Sequence, residues 1–337
     1  MAITDSPPAP SGSRPAAARR KRVSVQLGMI PAVVAAVMIG AFSNDAFLTS
    51  GNLLTVAQQS SELAILVIAE TLILLTGKFD LSLESIVGFA PMLAAWLVLP
   101  AALGGTDTLP AVLGLLVLFA VGAGVGLVNG LMVTKLRLNA FIVTLAVLIL
   151  LRGATLGVAN GRTLANLPTA FTYLGSTSFI GLPFTVWIAA LLFAGVFLFL
   201  RYHRHGRALY AIGGNPVAAR AAGIRVRRTV LAVFVLAGVL SALAGILLTG
   251  RLAAVTAGQG QNMIFTVMAA AVIGGISLNG GRGSVLGALL GVLLLGVISN
   301  ILTLSQISTF WIDAANGAII LAALLIQRAT GEVSEDL

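Results

Sequence analysis

The 337-residue sequence contains no cysteine. Disulfides, thiolate metal sites and thiol redox chemistry are therefore excluded. Histidine is almost as scarce: His203 and His205 stand together in a cluster of arginines, too few to build a zinc site. Only 9 % of the residues are charged, against about 25 % in a soluble domain. A chain so poor in charge cannot cover a water-facing surface. No phosphate-binding loop of the G-x-x-x-x-G-K-[ST] form is present either, since Gly77-Lys78 lacks both the upstream glycine and the following hydroxyl. Gly122, Gly124 and Gly126 lie inside an apolar run with no strand ahead of them, which excludes a dinucleotide turn. No catalytic constellation, cofactor or metal is expected.

Apolar residues make up 58 % of the chain, and its mean hydropathy is +1.04. A membrane crossing needs about 20 apolar residues. Ten stretches qualify: 25–42, 56–76, 86–103, 110–133, 139–158, 182–200, 229–249, 263–277, 284–302 and 310–327. An all-α polytopic membrane bundle of about ten helices follows, with 263–277 the short member. Residues 1–24, rich in Pro, Ala, Ser and Arg, are expected to form a disordered basic tail. The net charge of +9 reports orientation rather than nucleic-acid binding. With the N-terminus inside, 17 of the 20 basic residues fall on the cytoplasmic side, Arg162 and Arg251 fall outside, and Arg152 lies within a span. That asymmetry predicts cytoplasmic termini at both ends, a membrane domain over 25–327, a cytoplasmic loop at 201–228 and a tail at 328–337. Glycines at four-residue spacing, Gly122, Gly126 and Gly130 and again Gly283, Gly287 and Gly291, predict close helix contacts and carry no ligand role.

The loop 201–228 is the longest hydrophilic stretch after the N-terminal tail, and part of it has the marks of a small folded element. Asn215 is a favoured N-cap and Pro216 suits the first helical position. Residues 217–222 are mostly good helix formers, and Gly223 can take the left-handed conformation that ends a helix. A helix over 216–222 would be about 10 Å long, too short to be stable without a surface to pack on. Arg220 could bind a carboxylate of a cytosolic partner. Equally, the loop could pack on the protein's own cytoplasmic ends, with its arginines serving only to set orientation.

Three stretches carry a resemblance. The segment Gly206-Arg207-Ala208-Leu209-Tyr210-Ala211-Ile212-Gly213-Gly214-Asn215-Pro216, with Ala218, Ala219, Arg220, Gly223 and Ile224 after it, resembles the signature loop of the permease subunits of bacterial ABC importers for monosaccharides. Gly274-Gly275-Ile276-Ser277-Leu278-Asn279-Gly280-Gly281-Arg282-Gly283-Ser284 resembles that family's glycine-rich turn. Thr76-Gly77-Lys78-Phe79-Asp80-Leu81-Ser82-Leu83-Glu84-Ser85 is similar to a third, in which the family usually has glycine in place of Lys78 and of Glu84. The matches lie in order over residues 50–328. The resemblance implies that the loop helix is a coupling helix gripped by a separate ATPase subunit. It also implies a periplasmic or lipid-anchored solute-binding protein, a second permease copy or homologue, and a bacterial inner-membrane location.

Charged side chains within spans need a partner or a watery cavity. Glu62 and Arg152 each lie six residues from the outer end of their spans, roughly 9 Å deep, and are expected to pair. Glu70 lies about 12 Å deeper than Glu62 and is the better candidate to line an aqueous path. Asp313 and Asn316, one turn apart in the last span, could gate that path or sit at the interface. Two other readings stay open: a branched-chain amino acid permease of the same general architecture, and an ion-coupled secondary transporter using Glu62, Glu70 or Asp313.

Overall fold

The computed structural model describes residues 16–329, with side chains described from Met29 onward and incompletely along the last helix. The first 15 residues of the expected tail lie outside it. Its last part does not, since helix α1 (Ala16–Ser43) begins within the stretch expected to be unstructured, where Ala and Arg are strong helix formers.

A helix occupies each of the ten expected stretches. After α1 come α2 (Ser50–Leu75), α3 (Leu83–Val98), α4 (Ala111–Thr134) and α5 (Ala140–Ala159). Short helix α6 (Thr169–Ser176) precedes α7 (Phe184–Tyr202), α8 (Arg204–Gly214), α9 (Pro216–Ala221) and α10 (Val226–Leu252). The chain closes with α11 (Met263–Ile273), α12 (Val285–Leu304) and α13 (Thr309–Ala329). Among the described residues, six helices are long and apolar enough to cross a membrane, namely α2, α4, α5, α7, α10 and α12. Helices α3 and α11 are apolar but shorter, at 16 and 11 residues. Among the described residues, strand structure is confined to two-residue pairs: β1 (Leu164–Ala165) with β4 (Ala254–Val255), and β2 (Ser178–Phe179) with β3 (Leu182–Pro183). The chain is an all-α, multi-pass membrane protein.

Helix α2 is the axis of the bundle. In its most apolar stretch 83 % of residues are buried, against 22 % in α4 and α7, whose outer faces are left for lipid. It packs on α10, α12, α7 and α11, and α10 in turn lies along α4, α3 and α6. The glycine stripes are contact surfaces: a Cβ on Gly122 or Gly126 would strike the carbonyl of Gly238 or Phe234 in α10, and one on Gly287 or Gly291 would strike Gly274 or Ala270. In lipid, where apolar burial gives helices no reason to associate, such backbone approach supplies the packing.

Both short helices have irregular chain ahead of them packed inside the bundle. Before α3 the chain doubles back, so that Asp80 comes beside Glu70 of α2, and Asp80, Leu81 and Ser82 are all buried. Before α11, Gln259 donates to the carbonyls of Val87 and Gly245 and to the Thr249 hydroxyl. Non-helical backbone of this kind survives at membrane depth only where protein or an aqueous cavity surrounds it. Helix α6, between two of the expected spans, packs its Gly175 against Leu247 and Gly250 of α10.

Candidate functional site: a capped helix on a glycine junction

Loop 201–228 folds chiefly as two helices, α8 and α9. His203 caps α8 by accepting from the His205 N–H, and the apolar side of α8, Ala208, Leu209 and Ile212, is buried against α2 and α7. Asn215 then breaks the helix, and its side-chain oxygen accepts from the N–H groups of Val217 (2.9 Å) and Ala218 (3.0 Å) at the start of α9. Pro216 occupies the first turn, where its missing N–H costs nothing. At the other end Gly223 takes φ +82°. Its N–H reaches Arg220 O, and the Ile224 N–H reaches back to Ala219 O. This is the double closure that satisfies the last carbonyls of a helix. Among the side chains of α9 only Ala219 is buried, while Val217, Ala218 and Arg220 are exposed. The result is a six-residue rod, about 9 Å long, fixed at both ends and bare on most of its surface.

What lies beneath the rod was not legible as a spatial relation. The three glycine-bearing stretches, far apart in sequence, meet at one point. A Cβ on Gly213 would collide with the carbonyl of Leu75 and the nitrogen of Gly281, and one on Gly280 would lie 2.6 Å from Gly77 Cα. Gly281 is pressed against Gly214, and its N–H donates to Leu75 O at 3.1 Å. Gly77, Gly280 and Gly281 also have positive φ, at 72°, 85° and 67°. Each needs glycine on conformational grounds, and Gly280 and Gly281 for space as well. Around this junction the Tyr210 hydroxyl reaches Gly283 O, and Ser277 N–H closes the turn onto Arg282 O. Gly275 and Gly283 take positive φ there too, at 80° and 141°. The end of α2, the end of α8 and the α11–α12 turn are thereby joined backbone to backbone, one residue from the cap of α9.

The interior charges find partners other than the expected ones. Glu62 and Arg152 do not pair. Glu62 on α2 is held in a bidentate pair by Arg251 of α10, at 2.8 and 2.9 Å. Arg152 of α5 is hydrogen-bonded to Glu84 at the start of α3. Equal depth does not make neighbours: α2 packs on α10, and α5 packs on α3. Arg251 was placed outside because hydropathy ended its span at 249, whereas α10 runs on to Leu252 and brings the guanidinium back over α2. Glu84 also accepts from the Ile264 N–H in the first turn of α11 at 3.2 Å. One carboxylate thus faces the N-terminal turns of both short helices, where a negative charge is stabilised by their exposed N–H groups. Its sequence signal was the glutamate standing where the resembled family has glycine.

Asp80 and Ser82 belong to a buried knot in which Asp80 accepts from the Ser82 N–H and hydroxyl, at 2.9 and 2.6 Å, and Asn129 donates to Ser82 at 2.8 Å. Glu70 is fully buried beside it, and among the described residues neither of its oxygens has a hydrogen-bond partner of standard geometry. Glu70 meets neither Arg152 nor Arg251 in an ion pair. The side chains of Asp313 and Asn316 lie outside the described residues.

Multi-pass architecture, interrupted helices in the interior and a rigid rod fixed to the bundle's axis define a membrane permease. The sequence agrees: residues 52–326 match the family described as branched-chain amino acid transport system / permease component, and the chain belongs to that family. It is 34 % identical to the ribose import permease protein of Escherichia coli K12, over 90 % of this chain and 93 % of that one. To the Bacillus subtilis ribose import permease protein it is 35 % identical, covering 91 % and 94 %. The L-arabinose ABC transporter permease protein of Azospirillum brasilense is 32 % identical, with 84 % and 81 % covered. No solved structure matches the chain.

Proposed function

We propose that this chain is the transmembrane subunit of an ATP-driven importer for a monosaccharide or related polyol, in a bacterial inner membrane. It would cross the membrane about ten times with both termini cytoplasmic, counting α3, α11 and their irregular partners as crossings. The observation that carries the reading is the capped rod α9 standing on the glycine junction. Force applied to α9 by a separate ATPase subunit has no slack to lose, because Gly213, Gly77 and Gly281 touch through backbone atoms and pass it to α2, α11 and α12. Coupling contacts fall on Gly214, Asn215, Pro216, Ala218, Arg220 and Gly223, with Ala219 and Ile224 turned toward the bundle. A solute-binding protein would deliver cargo, and a second copy or a homologous subunit would complete the pathway.

Sugar is favoured as cargo by the relatives named for ribose and L-arabinose. An amino acid cargo is favoured by the family description alone. Proteoliposomes decide between this and an ion-coupled carrier. Uptake should require the ATPase subunit, ATP and the binding protein, and should survive an ionophore. Accumulation by this polypeptide alone, driven by an ion gradient, would overturn the reading. Ligand-induced thermal shifts of the cognate binding protein with a panel of pentoses, hexoses and branched-chain amino acids would then name the cargo.

A further inference from the structure

Beside α9 lies a cavity of about 1080 Å³ whose wall carries Lys78, Arg137, Arg220, Arg225, Arg227 and Arg228. Among the described residues no carboxylate lines it and none of the six cations is in an ion pair. Arg137 is held at φ 58°, a conformation that long side chains rarely adopt and that recurs at ligand clamps. So many like charges around one space repel each other unless an anion sits among them. The orientation rule accounts for basic residues on this side of the membrane. It gives no reason for six of them to surround a single hollow.

A second hollow of about 320 Å³ shares Arg225 and Arg228 with the first. Its other walls are chiefly apolar, with Leu72, Phe199, Leu209, Val233 and Leu236 from α2, α7, α8 and α10. Arg225 and Arg228 thus stand in the walls of both the basic cavity and a greasy groove between membrane helices. We propose that the pair of cavities binds an anionic phospholipid, with its phosphate among Arg225, Arg228 and the neighbouring cations and the start of an acyl chain along Phe199, Leu209 and Leu236. The chemistry selects this occupant. A free phosphate would leave the groove unused, and a neutral lipid would leave the arginines uncompensated. Basic pockets at the ends of membrane helices suit such headgroups. The site sits one turn from the coupling rod, so lipid would brace the loop against the bundle, whatever solute the importer carries.

The test is native mass spectrometry of the delipidated, full-length permease incubated with phosphatidylglycerol or with phosphatidylcholine. Phosphatidylglycerol should bind in preference. The double variant Arg225→Gln, Arg228→Gln should weaken that binding about thirtyfold, at roughly fivefold per lost cation. Leu236→Trp, which fills the groove and leaves the charges in place, should also lower it, and Arg225→Lys with Arg228→Lys should retain it. Arg204→Gln, outside both cavities, should change nothing, and millimolar pyrophosphate should not displace the lipid. Equal binding of the two lipids overturns the proposal. So does full displacement by pyrophosphate, which would mark a simple phosphate site. So does unchanged lipid binding in the double variant together with lost copurification of the ATPase subunit, which would assign the cavity to that protein. If the glutamine variant does not fold, the Leu236→Trp and pyrophosphate measurements carry the decision on their own.

Discussion

The glycine junction and the charged interior solve one problem, joining distant segments in a membrane, by opposite means. At the junction Gly77, Gly213, Gly280 and Gly281 bring backbones together by having no side chains. In the interior Glu62, Glu84, Arg152 and Arg251 reach across by having long ones. The first device is rigid and tolerates no addition; the second is adjustable and depends on which helix stands alongside. Glycine is therefore readable residue by residue, whereas a carboxylate's partner is a property of the packing.

The comparison can be broken most forcefully at the junction. Gly213→Val or Gly280→Val places carbon where Leu75, Gly281 or Gly77 backbone already lies, with no flexible neighbour to give way. A destabilisation of about 3 kcal/mol or more is expected, seen as loss of the monodisperse peak in detergent size-exclusion chromatography. A normal peak for either variant would show that the three segments separate readily.

The charged interior should yield less. Arg152→Leu strands Glu84, but Arg152 is itself 38 % exposed, so the loss should be about 2 kcal/mol, short of the 3–5 typical of a fully buried pair. The sharper measurement is charge exchange. Glu62→Arg combined with Arg251→Glu should recover most of the thermal stability lost by either single change, while Glu62→Arg combined with Arg152→Glu should recover none. The opposite pattern would reinstate the pairing suggested by depth alone.

Gly223→Val separates space from conformation. Nothing lies within 4 Å of the added Cβ, yet φ is +82°, so the expected cost is about 1–2 kcal/mol, confined to the end of α9. The variant should insert normally and lose substrate-stimulated ATP hydrolysis in the assembled importer. Retained stimulation would count against the rod as the coupling element. Arg220→Glu should reduce copurification of the ATPase subunit while leaving the melting temperature of the isolated permease in place. The smallest effect is expected at Gly124, which shares a helix with Gly122 and Gly126 but faces open space. Gly124→Ala should stay within about 0.5 kcal/mol of the parent, in contrast to the collision that the same change makes at Gly122.

Much of this was legible. The helix stretches follow from hydropathy, and the rod, expected over 216–222 and found at Pro216–Ala221, follows from an N-cap, a proline and a glycine in the right order. Local hydrogen bonding sets the ends of that element, and the packing of Ala219 on the bundle holds it there. The glycine stripes of α4 and α12 read as packing because small residues every four positions form one face. The two interrupted helices were less visible: 263–277 showed only as short, and α3 not at all, because the apolar residues 99–103 beyond its end filled the expected stretch out to the length of a crossing. Arg251 was misplaced by three residues of helix, enough to move a guanidinium from solvent to the side of Glu62.

Sequence alone determined the membrane setting, the absence of thiol chemistry and the ends of the capped rod, since each depends on composition or on contacts within a few residues. The meeting of Gly77, Gly213 and Gly281 at one point was decided by the tertiary structure. So were the partners of Glu62 and Glu84 and the basic cavity that shares two arginines with a greasy groove. These depend on which helices become neighbours, and that order is set by the packing of every face against every other rather than by any one stretch of chain.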